Sequence, residues 1–235
     1  MPYSSFNGGQ STPLTTRFQM TIAAPLPTTQ QQADLLKKIL PGAIKRTTVK
    51  LDNALLILTE GEDSNLDDFF GIGGNTTVDK TKFLAPIFNP SLASQAKEMG
   101  LDYIKEEAVG YDAKCLNGEV ENKLSLGKDP AQFATGNNHS KSKVDKIFCV
   151  KLEQVGNIFP SGFACIVDLS KAQHPDTGFT DTVTKSGKNN HGFASLKVHV
   201  SDVDCITVIH GEIRTHVKGR PNSSTEYVQI DYADF

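Results

Sequence analysis

The chain has 235 residues, with 24 Lys and Arg against 27 Asp and Glu and a formal net charge of −3. That balance excludes a protein that coats nucleic acid by charge alone, and the length suffices to bury a core without a disulfide or metal staple. Cys115, Cys149, Cys165 and Cys205 form no C-x-x-C pair and three of them sit in apolar stretches, so they read as buried thiols of a reducing compartment, with two disulfides as the alternative.

The opening residues, MPYSSFNGGQSTPLTT, have neither a charged start nor an apolar run, so no signal peptide is expected. Residues 1–14 read as an extended arm too polar to fold alone, whose isolated rings Tyr3 and Phe6 are candidates to dock on a neighbouring subunit. Residues 15–235 then read as one β-rich domain, with a sub-boundary near 110–143 as the alternative division. Between Thr15 and Ala23, Phe18, Met20 and Ile22 alternate with polar residues as in a half-buried strand. Thr28 or Thr29 can cap a helix carrying Ala33, Leu36, Ile39 and Leu40, which Pro41-Gly42 is expected to stop. Arg46–Leu51 and Ala54–Thr59 flank Asp52-Asn53, a two-residue link suited to a β-hairpin, which places Leu55 and Ile57 in the core. Asn89-Pro90 opens a short helix that Gly100 closes, and a strand is expected near 101–109. Strand, helix, hairpin, helix and strand form a ferredoxin-like order.

The second half reads as strands near 144–155, 162–169, 193–200, 204–217 and 225–232, with Val167 in the core, joined by polar Gly/Asn/Ser/Lys links. The expected fold class is α+β and β-dominated: an antiparallel sheet or β-sandwich core with a few short helices and the N-terminal arm.

Common chemistries find little support. Gly71-Ile72-Gly73-Gly74 lacks the strand before and the helix after that a phosphate loop needs. Glu60, Glu62, Asp63, Asp67 and Asp68 could hold a hard cation, but the spacing is not that of an EF-hand, and Ser64 reads as the cap of a short helix with Asp67 and Asp68 in its first turn and Phe69-Phe70 at its end. No G-x-S-x-G elbow is present, the cysteines have no catalytic neighbourhood, and no metal or cofactor is expected. His139, His174 and His191 fall in polar loops, whereas a continuous strand from Cys205 would put His210, Arg214, His216 and Lys218 on one face with Arg220 beside it. That face is a candidate nucleic-acid or anion surface, helped by Lys141, Lys143, Lys185 and Lys188 in the loops. His210 and His216 are roughly 20 Å apart along such a strand, too far to share one zinc.

The last six residues, Ile230-Asp231-Tyr232-Ala233-Asp234-Phe235, resemble the acidic tip ending in Phe of several phage and bacterial single-strand binding proteins, without the long acidic linker that usually precedes it. The resemblance implies a recruiting role for Asp231, Tyr232, Asp234 and Phe235. The leading expectation is a non-enzymatic structural subunit of a larger particle, a virus or phage virion protein, binding copies of itself or other subunits. A single-stranded nucleic-acid binder is the alternative, and an enzyme with a dispersed site the third. No membrane segment is expected, and the chain is placed in the producing cell's cytoplasm or within a virus particle.

Overall fold

The computed structural model describes residues 25–62, 64–71, 76–106, 111–127, 129–136, 144–183, 189–214 and 226–235. The expected strand between Thr15 and Ala23 and the arm both lie outside the described residues.

Helix α1, Thr29–Leu58, begins as the sequence predicts: Thr28 and Gln31 form a reciprocal capping box. It does not stop at Pro41. The proline sits on an exposed face, and the helix continues because Ala43, Ile44, Thr47, Leu51 and Leu55 bury in helical spacing beyond it. A mid-helix proline costs about 3 kcal/mol, less than the combined burial of several such side chains. The expected hairpin over Arg46–Thr59 is therefore helical, and Ile57, expected in the core, points outward at 77% exposure. Leu55 is buried as expected. A short helix α2, Leu66–Phe70, leads to α3, Thr76–Glu98, which starts well before the expected Asn89-Pro90 and accommodates Pro86 and Pro90. Leu84, Phe88, Leu92 and Ala96, four residues apart, form its buried stripe.

The fold is α+β with a sheet core. Its strands are β1 Tyr103–Lys105, β2 Ala113–Cys115, β3 Gly118–Leu126, β4 Ala134–Gly136, β5 Lys146–Val155, β6 Ile158–Asp168, β7 Gly178–Val183, β8 Asn189–Lys197, β9 Ile206–His210, β10 Glu212–Arg214, β11 Gln229–Asp231 and β12 Ala233–Asp234. The central sheet runs β1-β2-β3-β5-β6-β12, and β9 also pairs with β6. Its one parallel pair, β3 with β5, makes the sheet mixed. A β4-β8-β7 sheet and the β10-β11 pair stand apart from it. This order, with three helices ahead of the first described strand, replaces the ferredoxin-like one.

Alternation along β5 and β6 sorts two cores. Phe148, Val150, Leu152, Ala164 and Ile166 pack with α1 and α3. Ile147, Cys149, Phe163, Cys165 and Val167 face the other way, onto Phe133, Leu196, Val198, Val228 and Ile230. The central sheet is thus covered by helices on one face and by short strands and loops on the other. Among the described residues no helix is long and apolar enough to cross a membrane.

Candidate interaction surfaces

The expected single strand from Cys205 is two strands. A 3-10 turn, Val200–Cys205, precedes β9, and Gly211 at φ 80° breaks the line between β9 and β10. Only glycine fits there, since a Cβ would lie 2.5 Å from the Asp231 carbonyl oxygen and 2.9 Å from the Phe163 ring. His210 and Arg214 consequently do not share a flat basic face. His216, Lys218 and Arg220 lie outside the described residues, as do Tyr3, Phe6, Lys141, Lys143, Lys185 and Lys188.

Instead the break brings the histidine to the chain's last residues. The His210 ring stacks on Phe235 with centroids 4.1 Å apart and planes 12° from parallel. His210 Nε2 lies 3.0 Å from the Ala233 carbonyl oxygen, which can only accept, so Nε2 carries the proton. Ala233 and Asp234 pair with Gly162 and Ser161 of β6, and the Phe235 N–H donates to the Pro160 carbonyl at 3.1 Å. Gly162 makes the seat: a Cβ there would lie 2.7 Å from the Phe235 ring and from the Lys151 carbonyl oxygen. Arg214 forms an ion pair with Asp231, and the Tyr232 hydroxyl donates to the Gly127 carbonyl. Burial raises the Tyr232 hydroxyl pKa, and the carboxylates of Glu153 and Asp129 add to the shift. The two residue groups that the sequence treats separately, the His210 face and the tip, thus meet in one contact, which leaves the His210 ring half-buried against Phe235 and Arg214 paired with Asp231.

A second surface lies at the far end of α1. Leu56, Ile57 and Leu58, Phe69 of α2, and Val155 and Ile158 beside the β5–β6 turn are all exposed, Val155 and Ile158 at 55% and 53%. Asn157, in the turn, ties α1 and the start of α2 to the β5–β6 turn: its side-chain amide donates to Asp52 at 2.9 Å and to the Ser64 carbonyl at 3.1 Å, and its side-chain oxygen accepts from the Leu66 N–H at 2.9 Å. An open cleft of about 380 Å³ beside Leu56 is lined by Asp52, Glu62 and Asn157. The sequence reading missed this surface because it assigned Ile57 to a strand core; a 3.6-residue count continued past Pro41 puts Leu51 and Leu55 on one face and Ile57 on another.

The other candidates have local explanations. Asn65, not Ser64, caps α2, accepting from the N–H groups of Asp67 and Asp68, and Asp67 pairs with Lys80. Among the described residues no three His, Cys, Asp or Glu side chains converge as metal ligands. All four cysteines are buried free thiols. Cys149 and Cys165 face each other across β5 and β6, and burial keeps Cys165 protonated, which suppresses the thiolate that reactivity needs. Ser201 Oγ lies 2.8 Å from His199 Nδ1, a serine–histidine contact. His199 Nδ1 also accepts from the Ser201 N–H as the cap of the 3-10 turn, and its ring stacks on His174 at 3.5 Å, so the contact is accounted for by capping. Lys151, absent from the sequence-based candidates, is 3% exposed on the strand-covered face and donates to the Asp129 and Gln132 carbonyls. Burial pushes its pKa down to about 8. The signal was a lysine inside the apolar run of β5, in step with Ile147 and Cys149. Compared with protein-family models, with curated proteins and with solved structures, the chain gives no match.

Proposed function

We propose that this chain is a non-enzymatic structural subunit that associates with copies of itself in a larger assembly, a virus or phage particle being the kind of assembly it fits. The observation that carries this reading is the exposed apolar end formed by Leu56, Ile57, Leu58, Phe69, Val155 and Ile158. Scattered surface apolar residues need no explanation, but Val155 and Ile158 pair across the turn that carries Asn157, and Leu56 shares a cleft with Asn157, so exposed apolar side chains of α1 and of the turn lie near one another, as at an association surface.

The test is sedimentation velocity across the micromolar range on the wild-type chain and on Ile57→Asp with Val155→Lys. Concentration-dependent association that the double variant abolishes, with its melting transition intact, supports the reading. A wild type that remains monomeric throughout overturns it.

A further inference from the structure

Among the described residues, segment 226–235 packs against parts of the fold that precede residue 215. The Val200 N–H donates to the Glu226 carbonyl and the Val228 N–H to the Val198 carbonyl, both at 2.8 Å. β11 pairs with β10, the Ile230 N–H donates to the Pro130 carbonyl at 2.9 Å, and β12 with Phe235 seats on β6. Val228 and Ile230 are buried in the strand-side core. The segment therefore lies in a continuous groove built by the preceding chain.

Its covalent tie to that groove is long. Arg214 and Gln229 are paired across β10 and β11, a geometry that a hairpin closes with about two to five residues. Here residues 215–228 intervene, and 215–225 read THVKGRPNSST, a polar run. Extended, those residues span up to about 35 Å, twice the roughly 17 Å radius of gyration expected for a domain of this length. The connection is long enough to deliver segment 226–235 either to its own groove or to that of an adjacent copy.

We propose that segment 226–235 is an exchangeable strand, which in the assembled state each copy donates to the β6–β10 groove of a second copy. The inference rests on the subunit reading above. Within one chain and between two chains the segment makes the same contacts, so the balance is set by protein concentration against the effective concentration that a covalent connection of this length imposes. A dilute chain holds its own segment. Copies packed side by side by the apolar end reach the local concentration at which exchange competes. The recognising chemistry is strand addition with an aromatic ring seated over Gly162 and against His210.

A cross-linking trap decides it. Ser161 and Asp234 face each other across β6 and β12, and the flanking Phe235-to-Pro160 hydrogen bond makes them a non-hydrogen-bonded pair, the closer kind, at about 4.5 Å between Cα atoms. In the Ser161→Cys, Asp234→Cys chain a disulfide reports which groove the segment occupies, because the native thiols are buried. Oxidised under assembly conditions, the chain should give a two-chain product that reduction removes and prior dilution diminishes. The two single variants, mixed and then oxidised, should give the same heterologous product. If the Ser161→Cys chain fails to fold, Arg214→Cys with Gln229→Cys reads the same exchange across β10 and β11. Single-chain cross-links at every concentration, in a protein that still associates in the ultracentrifuge, overturn the exchange and leave the subunit reading standing. Single-chain cross-links in a protein that never associates overturn both.

Discussion

The two faces of the central sheet are built differently. On the helix side, Phe148, Val150, Leu152, Ala164 and Ile166 meet α1 and α3 in a layer of long, mostly apolar helical side chains, with Gln32 and Asn122 among its buried polar members. On the strand side the same two strands present Cys149, Cys165, Phe163 and Val167 but also Lys151, and the cover is made of short strands and loops tied down by polar bonds. Asp202 is one such tie: burial pushes its carboxyl up, but hydrogen bonds from Thr177 and from the His174 and Gln173 N–H groups outweigh that and hold it below its ordinary value. Long helices present enough side-chain area to seal a sheet by packing alone, whereas short segments must be anchored one by one. The helix face should therefore carry most of the stability, and the strand face should be the more open to exchange.

The largest expected effect is on the helix face. Phe148 is fully buried, and Phe148→Ala should cost about 3 to 5 kcal/mol in denaturant unfolding. Val167→Ala, equally buried but opening a smaller cavity on the strand face, should cost less. A reversal of that order would show that the strand cover, not the helical one, is the principal core.

The next effect concerns pH. Lys151, held down at about 8 by burial, binds its proton less readily in the folded chain than in the unfolded one. Between about pH 8 and 10.4 the unfolded state therefore carries the extra proton, and this group makes stability rise with pH. The buried thiols act in the opposite sense. Burial pushes Cys115 up to about 12 and raises Cys165 and Cys205, so above about pH 8.5 the unfolded chain loses thiol protons that the folded one keeps. The buried thiols outweigh the one lysine, and Tyr103 and Tyr232, raised by burial, act in the same sense above about pH 10, so the wild type should lose stability above about pH 8.5. Lys151→Met removes the opposing group, so its melting temperature should fall more steeply over the same range; parallel curves would show that Lys151 is not held in a buried state.

A smaller effect is expected at the Phe235 seat. Gly162→Val forces a side chain into the ring and into the Lys151 carbonyl, and should cost about 1 to 3 kcal/mol by overpacking. Phe235→Ala should recover part of that loss in the double variant, because the ring is one of the two groups in the way. Additive losses would mean that the ring does not occupy the seat.

What could be read from the sequence divides along the same line. β5 and β6 are long runs of apolar residues, so their positions and the burial of Val167 follow from the amino acids alone. β3 is hidden because a core position is filled by Asn122, whose amide donates to the Tyr103 hydroxyl at 2.8 Å, and this interrupts the alternation of Val120 and Leu124. The helical cover is hidden by its prolines: Pro41 signals a stop and Asn89-Pro90 a start, whereas both, like Pro86, lie inside helices whose burial on either side overrides the local signal. Of the interaction surfaces, the tip and His210 were legible one by one; their contact depends on the turn at Gly211, which no local pattern announces.

A still smaller effect is expected at Arg214. Its pair with Asp231 is largely exposed to solvent, so Arg214→Ala should cost no more than about 1 kcal/mol. Since the guanidinium already has an anionic partner, the same change should leave the fluorescence anisotropy of a labelled single-stranded oligonucleotide unaltered at low and high salt. A salt-dependent signal that weakens in the variant would bring back the nucleic-acid reading of this face.

The smallest effect is the most discriminating between the two faces of α1. Had residues 54–59 formed a buried strand, Ile57→Ala would open a cavity and cost about 2 to 5 kcal/mol. On a helix that leaves Ile57 77% exposed there is no cavity to open, and alanine is the better helix former, so the change should stay within about 0.5 kcal/mol of neutral. Leu55→Ala, two residues away on the buried face, should show the full core penalty. Urea unfolding of the two variants side by side checks both. The pair also separates stability from association, because Ile57→Ala should weaken self-association measured in the ultracentrifuge while leaving the monomer's unfolding midpoint in place. A lowered midpoint would put Ile57 inside the fold and remove the apolar end on which assembly depends.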